Sequence, residues 1–212
     1  MARISFMVLF ITLIFNQGAV AEKWYTVKWV NDGDTIVLQD GRRVRYIGIN
    51  TPEIDHKNRK AEPFGYNALE LNKKLVKSRK VRLEFDREKR DHYGRYLAYV
   101  FLADDSMVNA AMIEQGYAYF LFKKPNLKYA ADFLKIQKEA MSDRRGIWKD
   151  WHEKQGEYIG NKNSRRFHAS ECRSAGKINW KNRVRFTTQW AAFQKGYAPA
   201  KGCFPVLMIP TD

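Results

Sequence analysis

The sequence predicts an α+β protein, with a small closed barrel of five strands and three helices followed by a small basic α+β module at the C-terminal end. Three observations predict this fold class. Five short segments have strand-like patterns, one helical pattern follows the third of them and two follow the fifth, and the composition changes near residue 156. Short strands joined by tight turns, with helices between and after them, favour a closed barrel over a parallel sheet.

The first three strands lie close together along the chain. They are predicted at residues 24–30, 35–39 and 42–49. The turn at 31–34 contains Gly33, and Asp40-Gly41 is a strong hairpin signal before the third strand. A polar loop at 50–62 follows the third strand.

A helix and two further strands are predicted after this loop. Apolar residues recur at helical spacing, which indicates an amphipathic helix, at Phe64, Ala68, Leu71, Leu75 and Val76. Residues 80–86 alternate, with Val81, Leu83 and Phe85 on one face, as a half-buried strand requires. The fifth strand is predicted at 96–102.

Two more helices complete the barrel part. The first is predicted to start at Ser106 as its N-cap and to run to Gln115, with Gly116 as its stop signal. The second is predicted at residues 127–142, with its apolar side formed by Tyr129, Phe133, Ile136 and Ala140. The barrel part is expected to end near Trp148 and Trp151.

The start of the chain predicts export. Residues 1–21 contain one basic residue, an apolar run and Ala19-Val20-Ala21 before Glu22, which is the layout of a secretory signal peptide cleaved after Ala21. The apolar run is too short to span a bilayer about 30 Å thick. We therefore expect a secreted or periplasmic protein with no stable membrane insertion after cleavage. The barrel domain is placed at 22–153 and the C-terminal module at 157–212, with the boundary in the polar stretch 154–164.

The chain is strongly basic, with a net charge of +15. Residues 156–212 alone hold ten Lys and Arg against three Asp and Glu. Positive charge attracts polyanions, which include nucleic acid and also anionic surfaces and glycans. The basic side chains of the C-terminal module either help to bind a polyanion or form a solvated face, and they are Arg165, Arg166, Arg173, Lys177, Lys181, Arg183 and Arg185.

Two loops carry oxygen ligands suited to a hard cation. Asp34 starts the second strand in a turn that aims its carboxylate at the barrel rim, although a turn aspartate that accepts backbone N–H bonds is the alternative and fits Asp32 better. Asn50-Thr51-Pro52-Glu53 follows the third strand, and the proline fixes its backbone. Calcium takes six to eight oxygen ligands, so this mixture suits it. Zinc prefers nitrogen or sulfur, and only His56 lies nearby in the sequence.

Arg45 and Arg95 supply positive charge beside this predicted cation site. A phosphodiester gains negative charge on its non-bridging oxygens during attack, and one planar guanidinium can engage two of them. A single Arg on a strand is most often solvated, but two that flank a cation site point to phosphodiester chemistry. His92 either contacts phosphate, acts as an acid or has no role.

These segments resemble the staphylococcal nuclease (thermonuclease) family. The resemblance covers about residues 24–148 and rests on the order of the three loops, on the helix between them and on Lys124-Pro125-Asn126. It implies an oligonucleotide-binding barrel (OB-fold) that hydrolyses DNA and RNA with calcium. It also implies products with a 3′-phosphate and a 5′-hydroxyl.

The resemblance further implies the roles of the acidic loops. Asp34 and Asn50 would bind calcium through their side chains, and Thr51 would bind it through its carbonyl. Glu53 would orient or deprotonate the attacking water. The family has a carboxylate at the position of Asn50, and an amide lacks its charge, so we expect weaker calcium binding.

The resemblance assigns the remaining site residues to the phosphate. Arg45 and Arg95 would stabilise the phosphorane-like transition state, and Tyr93 would contact a substrate phosphate. The family's second substrate-binding tyrosine has no clean match, because the segment from Gly116 to Pro125 is one residue shorter here. Tyr117 and Tyr119 lie nearby and are interpreted as core or rim aromatics.

The C-terminal module contains both cysteines of the chain. Phe167-His168, Cys172 and the segment 196–203 resemble small Cys-based metal-binding modules, including that of alkylation-repair proteins, with Ala200 in place of the first cysteine of the final pair. His168, Cys172 and Cys203 are one ligand short of a closed structural zinc site. In an exported protein two cysteines more often form a disulfide, so we expect a Cys172–Cys203 disulfide, with zinc as the alternative.

Three functions therefore stay open on the sequence alone. The leading one is an exported, monomeric, calcium-dependent nuclease that acts on DNA, RNA or both. The second is a non-catalytic nucleic-acid-binding OB-fold protein whose metal site is weakened by Asn50. The third is an envelope protein whose basic C-terminal module binds an anionic surface.

Overall fold

The computed structural model describes residues 22–55, 60–151, 153 and 155–204. The predicted signal peptide at 1–21 and His56 lie outside the described residues. Within the described ranges, no helix has both the length and the apolar character needed to cross a bilayer.

The part of the chain up to residue 151 contains the barrel and its helices. Its strands are β1 (Trp24–Asp32), β2 (Thr35–Leu38), β3 (Arg43–Tyr46), β4 (Ile49–Asn50), β5 (Lys80–Glu84), β6 (Tyr96–Phe101) and β7 (Tyr119–Phe120). Its α-helices are α1 (Gly65–Val76), α2 (Val108–Glu114) and α3 (Ala130–Ser142). Five strands close the barrel in the order β1, β2, β3, β6, β5, with β3 and β6 parallel and the other pairs antiparallel. The predicted α+β class and the five-stranded OB-fold barrel with three helices are confirmed.

Apolar side chains from the strands fill the barrel, as the alternating patterns predict. Fully buried residues of four strands meet there, and they are Ile36, Val44, Val81, Ala98 and Val100. The helices cover the barrel with apolar faces, to which α1 contributes Ala68 and Val76 and α2 contributes Met112 and Ile113. This core gives the loops at the barrel rim a rigid support.

The third predicted strand is divided in the structure. It was expected to reach residue 49, but β3 ends at Tyr46 and the chain turns at Gly48, whose φ is +77°. A side chain at Gly48 would also collide with Phe133, which would lie 2.7 Å from its Cβ. After this turn, β4 pairs with β7 and not with the barrel, so Asn50 lies opposite Tyr119.

Two helix boundaries also differ from the predictions. Ser106 is not an N-cap, because α2 starts at Val108 and the Ser106 hydroxyl donates to Asp104 at 2.6 Å. The helix predicted from residue 127 begins at Ala130. Turn hydrogen bonds precede both helices, from the Ser106 hydroxyl to Asp104 and from the Ala130 N–H to the Leu127 backbone oxygen.

The C-terminal module has a sheet of its own. Its strands are β8 (Tyr158–Asn161), β9 (Arg166–Ala169), β10 (Arg183–Phe186) and β11 (Ala198–Pro199), and its helices are α4 (Arg173–Gly176) and α5 (Gln189–Gln194). The strand order is β10, β8, β9, β11. The first strand begins within the stretch 154–164 that the sequence suggested as the boundary, so the sheet starts there. The domain limits 22–153 and 157–212 stay predictions.

A disulfide closes the end of the described module. Cys172 and Cys203 are bonded, with Cα atoms 5.7 Å apart and a sequence separation of 31 residues. His168 Nδ1 lies 3.1 Å from Cys203 Sγ, so the three residues of the zinc alternative do come together. The sulfurs are bonded to each other, as expected.

The C-terminal module packs directly against the barrel part. Buried Gln137 of α3 accepts a hydrogen bond from the Phe120 backbone at 2.6 Å and donates to the Phe193 backbone oxygen at 2.7 Å. The Phe193 ring lies edge-on to Tyr119 and Trp148, with centroids 5.5 and 5.0 Å away. These contacts hold the module beside β7 and β4, where the candidate site lies.

Candidate active site

One cavity of about 340 Å³ at the barrel rim brings most of the predicted site residues together. Six of them line it, and they are Asp34, Arg45, Asn50, Glu53, Tyr93 and Arg95. Thr51 is not among the lining residues and is 3% exposed. The disulfide of Cys172 and Cys203 is not part of the cavity lining.

The turn between β1 and β2 places Asp34 against the loop that carries Thr51. The backbone N–H and the hydroxyl of Thr51 donate to Asp34 Oδ2 at 3.1 and 3.2 Å. A Cβ at Gly33 would lie 2.7 Å from the Thr51 hydroxyl, so glycine permits this close approach. Asp32 accepts a hydrogen bond from the Asp34 backbone at 3.0 Å, as a turn aspartate does.

Two buried polar residues anchor this turn to the fold. Asn72 of α1 donates to the backbone oxygen of Asp32 at 2.9 Å and accepts a hydrogen bond from the Tyr46 hydroxyl at 2.8 Å. Asn72 and Tyr46 are almost completely buried, so each hydrogen bond satisfies a group that has no access to water. The position of Asp34 is therefore set by β1, β3 and α1 together.

Asp34 is unusually hard to ionise in the absence of a bound cation. Burial raises the pKa of Asp34 to about 7, although the neighbouring Arg45 guanidinium acts in the opposite direction. The carboxylates of Asp32 and Glu53 raise the same pKa further. A cation placed among these groups would favour the ionised carboxylate.

The Arg45 guanidinium joins two of the candidate metal ligands. Its Nη2 lies 2.9 Å from Asp34 Oδ2 and donates to Asn50 Oδ1 at 3.0 Å. Its Nη1 donates to the Tyr46 backbone oxygen at 2.7 Å. Both side-chain oxygens thus converge on one positively charged nitrogen. Together with the Thr51 carbonyl they offer carboxylate, amide and carbonyl oxygens, which is a donor set that fits calcium.

Tyr119 fixes the orientation of the Asn50 amide. Asn50 Nδ2 donates to the Tyr119 hydroxyl at 2.9 Å and to the Thr51 backbone oxygen at 3.1 Å. Tyr119 is 4% exposed, and burial raises the pKa of its hydroxyl above the ordinary value. The sequence interpretation of Tyr119 as a core or rim aromatic missed this contact, because 69 residues separate the two partners.

The loop after Pro52 holds Glu53 by its backbone. The Glu53 N–H donates to the Glu62 carboxylate at 3.0 Å, and the Glu53 backbone oxygen accepts from the Glu62 N–H at 2.8 Å. A Cβ at Gly65 would lie 2.3 Å from that oxygen, so the first residue of α1 must be glycine. The Glu53 side chain is left one-third exposed, with its carboxylate 3.9 Å from Lys201 Nζ.

Asp91 fixes the side chain of Arg95, a role that the sequence did not predict for Asp91. Arg95 Nε and Nη2 each lie 2.8 Å from Asp91 Oδ2, and the Arg95 backbone N–H donates to Asp91 Oδ1 at 3.0 Å. Burial acts to raise the pKa of Asp91, but the hydrogen bonds from Arg95 outweigh it and hold that pKa below its usual range. The Asp-x-x-Gly-Arg spacing, typical of a tight turn, was the available signal.

Tyr93 lies at the exposed edge of the cavity. Its side chain is 70% exposed, and its ring lies 3.8 Å from the His92 ring between centroids. The Arg95 guanidinium lies 5.5 Å from the Tyr93 ring centroid. His92 and Tyr93 both line the cavity.

Three basic residues outside the predicted motifs also line the cavity. They are Lys123, and Arg166 and Lys201 from the C-terminal module. The sequence placed Arg166 among the module's basic residues but gave no sign that it meets the barrel site, because that contact depends on tertiary packing.

Comparison with known proteins identifies the family of the chain. A family model described as Staphylococcal nuclease homologue matches residues 43–150. The thermonuclease of Staphylococcus intermedius is 45% identical over 127 residues, which cover 58% of this chain and 75% of the relative. The thermonuclease of Staphylococcus hyicus is 39% identical over 130 residues, which cover 60% and 76%.

The match covers a smaller share of a third relative. Endonuclease YncB of Bacillus subtilis is 42% identical over 122 residues, which cover 55% of this chain and 57% of the relative. The family match spans half of the chain and includes β3 and the loops that carry Glu53 and Arg95. The chain therefore belongs to the staphylococcal nuclease family.

Proposed function

We propose that this chain is an exported, calcium-dependent nuclease that hydrolyses the phosphodiester bonds of DNA, RNA or both and leaves 3′-phosphate ends. Its family makes it a phosphodiester-hydrolysing nuclease with nucleic acid as substrate. One observation supports the finer proposal most strongly. Asp34 Oδ2 and Asn50 Oδ1 converge on one nitrogen of Arg45, in a cavity that Glu53 and Arg95 also line.

Asp34, Asn50 and Thr51 would hold the calcium ion. When bound, calcium would supply positive charge next to the scissile phosphate. The chain preorganises its ligands, since Thr51 donates twice to the Asp34 carboxylate and Tyr119 fixes the Asn50 amide. Because Asn50 carries no charge, we propose that calcium binds more weakly than it would at two carboxylates.

Glu53 and the two arginines would act on the reacting groups. Glu53 would orient the attacking water or take its proton, since its backbone is fixed and its carboxylate faces the cavity. Arg45 and Arg95 would neutralise the charge that develops on the phosphate oxygens. Tyr93, at the exposed edge, would contact a substrate phosphate.

We propose that the protein is exported as a monomer after cleavage behind Ala21. The signal-like pattern of residues 1–21 supports export, and a disulfide between Cys172 and Cys203 fits an oxidising compartment. N-terminal sequencing of the protein recovered from the periplasm or medium tests this proposal, and Glu22 is the expected first residue.

Digestion of single-stranded DNA and RNA with calcium or with a chelator tests the catalytic proposal. Wild type should cleave only with calcium and leave 3′-phosphate ends. Arg95→Ala should lose roughly 10²- to 10³-fold in kcat, the typical cost of removing one donor to a developing charge. Arg79→Ala is the control, because Arg79 is exposed and does not line the cavity.

Two outcomes would overturn the catalytic proposal in different ways. Calcium-independent DNA binding without any cleavage would favour a non-catalytic binding protein. Retention on polyanionic glycans without affinity for DNA would favour an envelope protein.

A further inference from the structure

The C-terminal module supplies one wall of the catalytic cavity. Arg166, Pro199 and Lys201 line that cavity together with the barrel residues. Arg166 begins β9, an inner strand of the module's sheet that pairs with β8 on one side and β11 on the other. Side chains alternate along a strand, and the next residue, Phe167, is fully buried in the core. The sheet therefore directs Arg166 away from its own core and into the cavity.

The guanidinium of Arg166 has no hydrogen-bond or ion-pair partner among the described residues. Arg166 is half-buried near Tyr119, and its charged neighbour is Arg45. Burial lowers the pKa of Arg166, the Tyr119 hydroxyl opposes this and the positive charge of Arg45 adds to it. Arg45 is already paired with Asp34, whereas the Arg166 guanidinium adds a positive charge to the cavity that remains available to an anion.

Three other arginines of the module contact groups within the module. Arg165 stacks on the Tyr197 ring at 4.9 Å, and Arg183 donates to the backbone oxygens of Ile178 and Gly176. Arg185 forms an ion pair with a glutamate of the same module. These contacts are internal to the module, whereas Arg166 faces the catalytic cavity.

A second pocket continues the basic surface from this point. It shares Arg166 and Lys201 with the catalytic cavity and is also lined by His168, Lys177 and Asn179. Because two cationic side chains belong to both pockets, positive charge continues from the catalytic cavity into the second pocket. Proteins that bind single-stranded nucleic acid use a positively charged groove of this kind to follow the backbone.

We propose that the C-terminal module extends the nucleic-acid-binding site of this nuclease. Arg166 binds a substrate phosphate at the edge of the catalytic cavity, and the strand continues past Lys201 into the pocket lined by Lys177. The inference rests on the proposed function, since it takes nucleic acid as the ligand of the cavity. A guanidinium suits this task because it donates two parallel hydrogen bonds to phosphate oxygens.

Binding of a single-stranded DNA of about ten nucleotides, measured with a chelator present so that no cleavage occurs, tests the proposal. Arg166→Gln should raise Kd roughly 10- to 100-fold, as expected for a lost hydrogen bond between charged groups. The slope of log Kd against log salt should fall by about 0.7, the value for one contact on a single strand. Arg166→Lys should keep most of the slope.

Arg79→Gln is the matched control, because it removes the same charge from an exposed turn outside both pockets. If Arg79→Gln and Arg166→Gln change Kd and the salt slope equally, Arg166 acts only through the net charge of the protein. That result would overturn the proposal. The melting temperature of Arg166→Gln should stay at or above the wild-type value. A marked drop would show that Arg166 serves the fold, and this would also overturn the proposal.

Oligonucleotides with a single neutral methylphosphonate locate the contact. For the wild-type protein, replacing a contacted phosphate with the neutral group should weaken binding of the oligonucleotide. Arg166→Gln should remove this penalty at one position, and Lys177→Gln should remove it at a position further along the same strand. If neither substitution changes which phosphates weaken binding when neutralised, the proposed path is contradicted.

Failure of this inference and failure of the proposed function give different results in these experiments. Wild type that binds DNA but does not cleave it with calcium would refute the catalytic proposal while the Arg166 result stands. Wild type that cleaves normally, with Arg166→Gln behaving as Arg79→Gln does, would refute the inference alone.

Discussion

The carboxylate of Asp91 fixes the guanidinium of Arg95, because Nε and Nη2 of Arg95 both lie 2.8 Å from Asp91 Oδ2. Asp91 also accepts hydrogen bonds from the backbone of Tyr93 and of Arg95 at 3.0 Å. One aspartate thus sets both the turn and the direction of the side chain that follows it. Arg95 is oriented before any substrate arrives.

Asp91→Asn should lower kcat more than it raises KM. The amide can still close the turn but holds the guanidinium less firmly, so we expect kcat to fall roughly tenfold, about 1.4 kcal/mol of transition-state stabilisation. Steady-state kinetics on single-stranded DNA measure this. A change in KM alone, with kcat unaffected, would show that Asp91 does not position Arg95 for the transition state.

The same substitution should remove a pH-dependent part of the stability. The folded pKa of Asp91 lies below its ordinary value of about 3.9, so ionised Asp91 stabilises the fold above that pH and loses this effect as the pH falls. Wild type should exceed Asp91→Asn by about 1–2 kcal/mol in unfolding free energy at pH 7. Urea denaturation from pH 7 to pH 3.5 measures the difference, which should shrink at the acidic end. A constant difference would refute the assignment.

Asn50→Asp should lower the calcium concentration needed for half-maximal activity. The added carboxylate increases the charge of the ligand set, and a tenfold drop would correspond to about 1.4 kcal/mol. The Tyr119 hydroxyl can donate to the new carboxylate, so the local geometry should survive. Calcium titration of the cleavage rate measures the effect. An unchanged requirement would show that Asn50 is not a ligand.

The Cys172–Cys203 disulfide should stabilise the C-terminal module. Cross-linking residues separated by 31 positions contributes about 3–4 kcal/mol in the loop-entropy description. Reductant should therefore lower the denaturation midpoint of wild type and leave a Cys172→Ser, Cys203→Ser double variant unchanged. Free thiols in the native protein, together with stabilisation by added zinc, would instead support a metal site with His168.

The local parts of the site could be predicted from the sequence. The Asp32-Gly33-Asp34 turn, Pro52 before Glu53 and the turn before Arg95 depend on neighbouring residues whose backbone preferences are strong. The barrel strands could also be predicted, because apolar and polar residues alternate along them. The domain class followed from the same short-range patterns.

The contacts between distant segments could not be predicted in this way. Asn50 meets Tyr119 only because Gly48 breaks the third strand and lets β4 pair with β7. Arg166 reaches the catalytic cavity only because Phe193 and Gln137 hold the C-terminal module against α3. Such contacts depend on tertiary packing, which periodicity and spacing do not encode.

The calcium dependence of cleavage by Asp34→Asn is the sharpest test of a calcium centre at this site. Asp34 is the only carboxylate in the proposed ligand set, and asparagine can still accept the hydrogen bonds from Thr51 and Arg45. Wild-type cleavage should saturate with calcium, and Asp34→Asn should require roughly tenfold more calcium or greater, equivalent to about 1.4 kcal/mol of binding. Cleavage by wild type in chelator, or an identical calcium curve for Asp34→Asn, would contradict a calcium centre at this site.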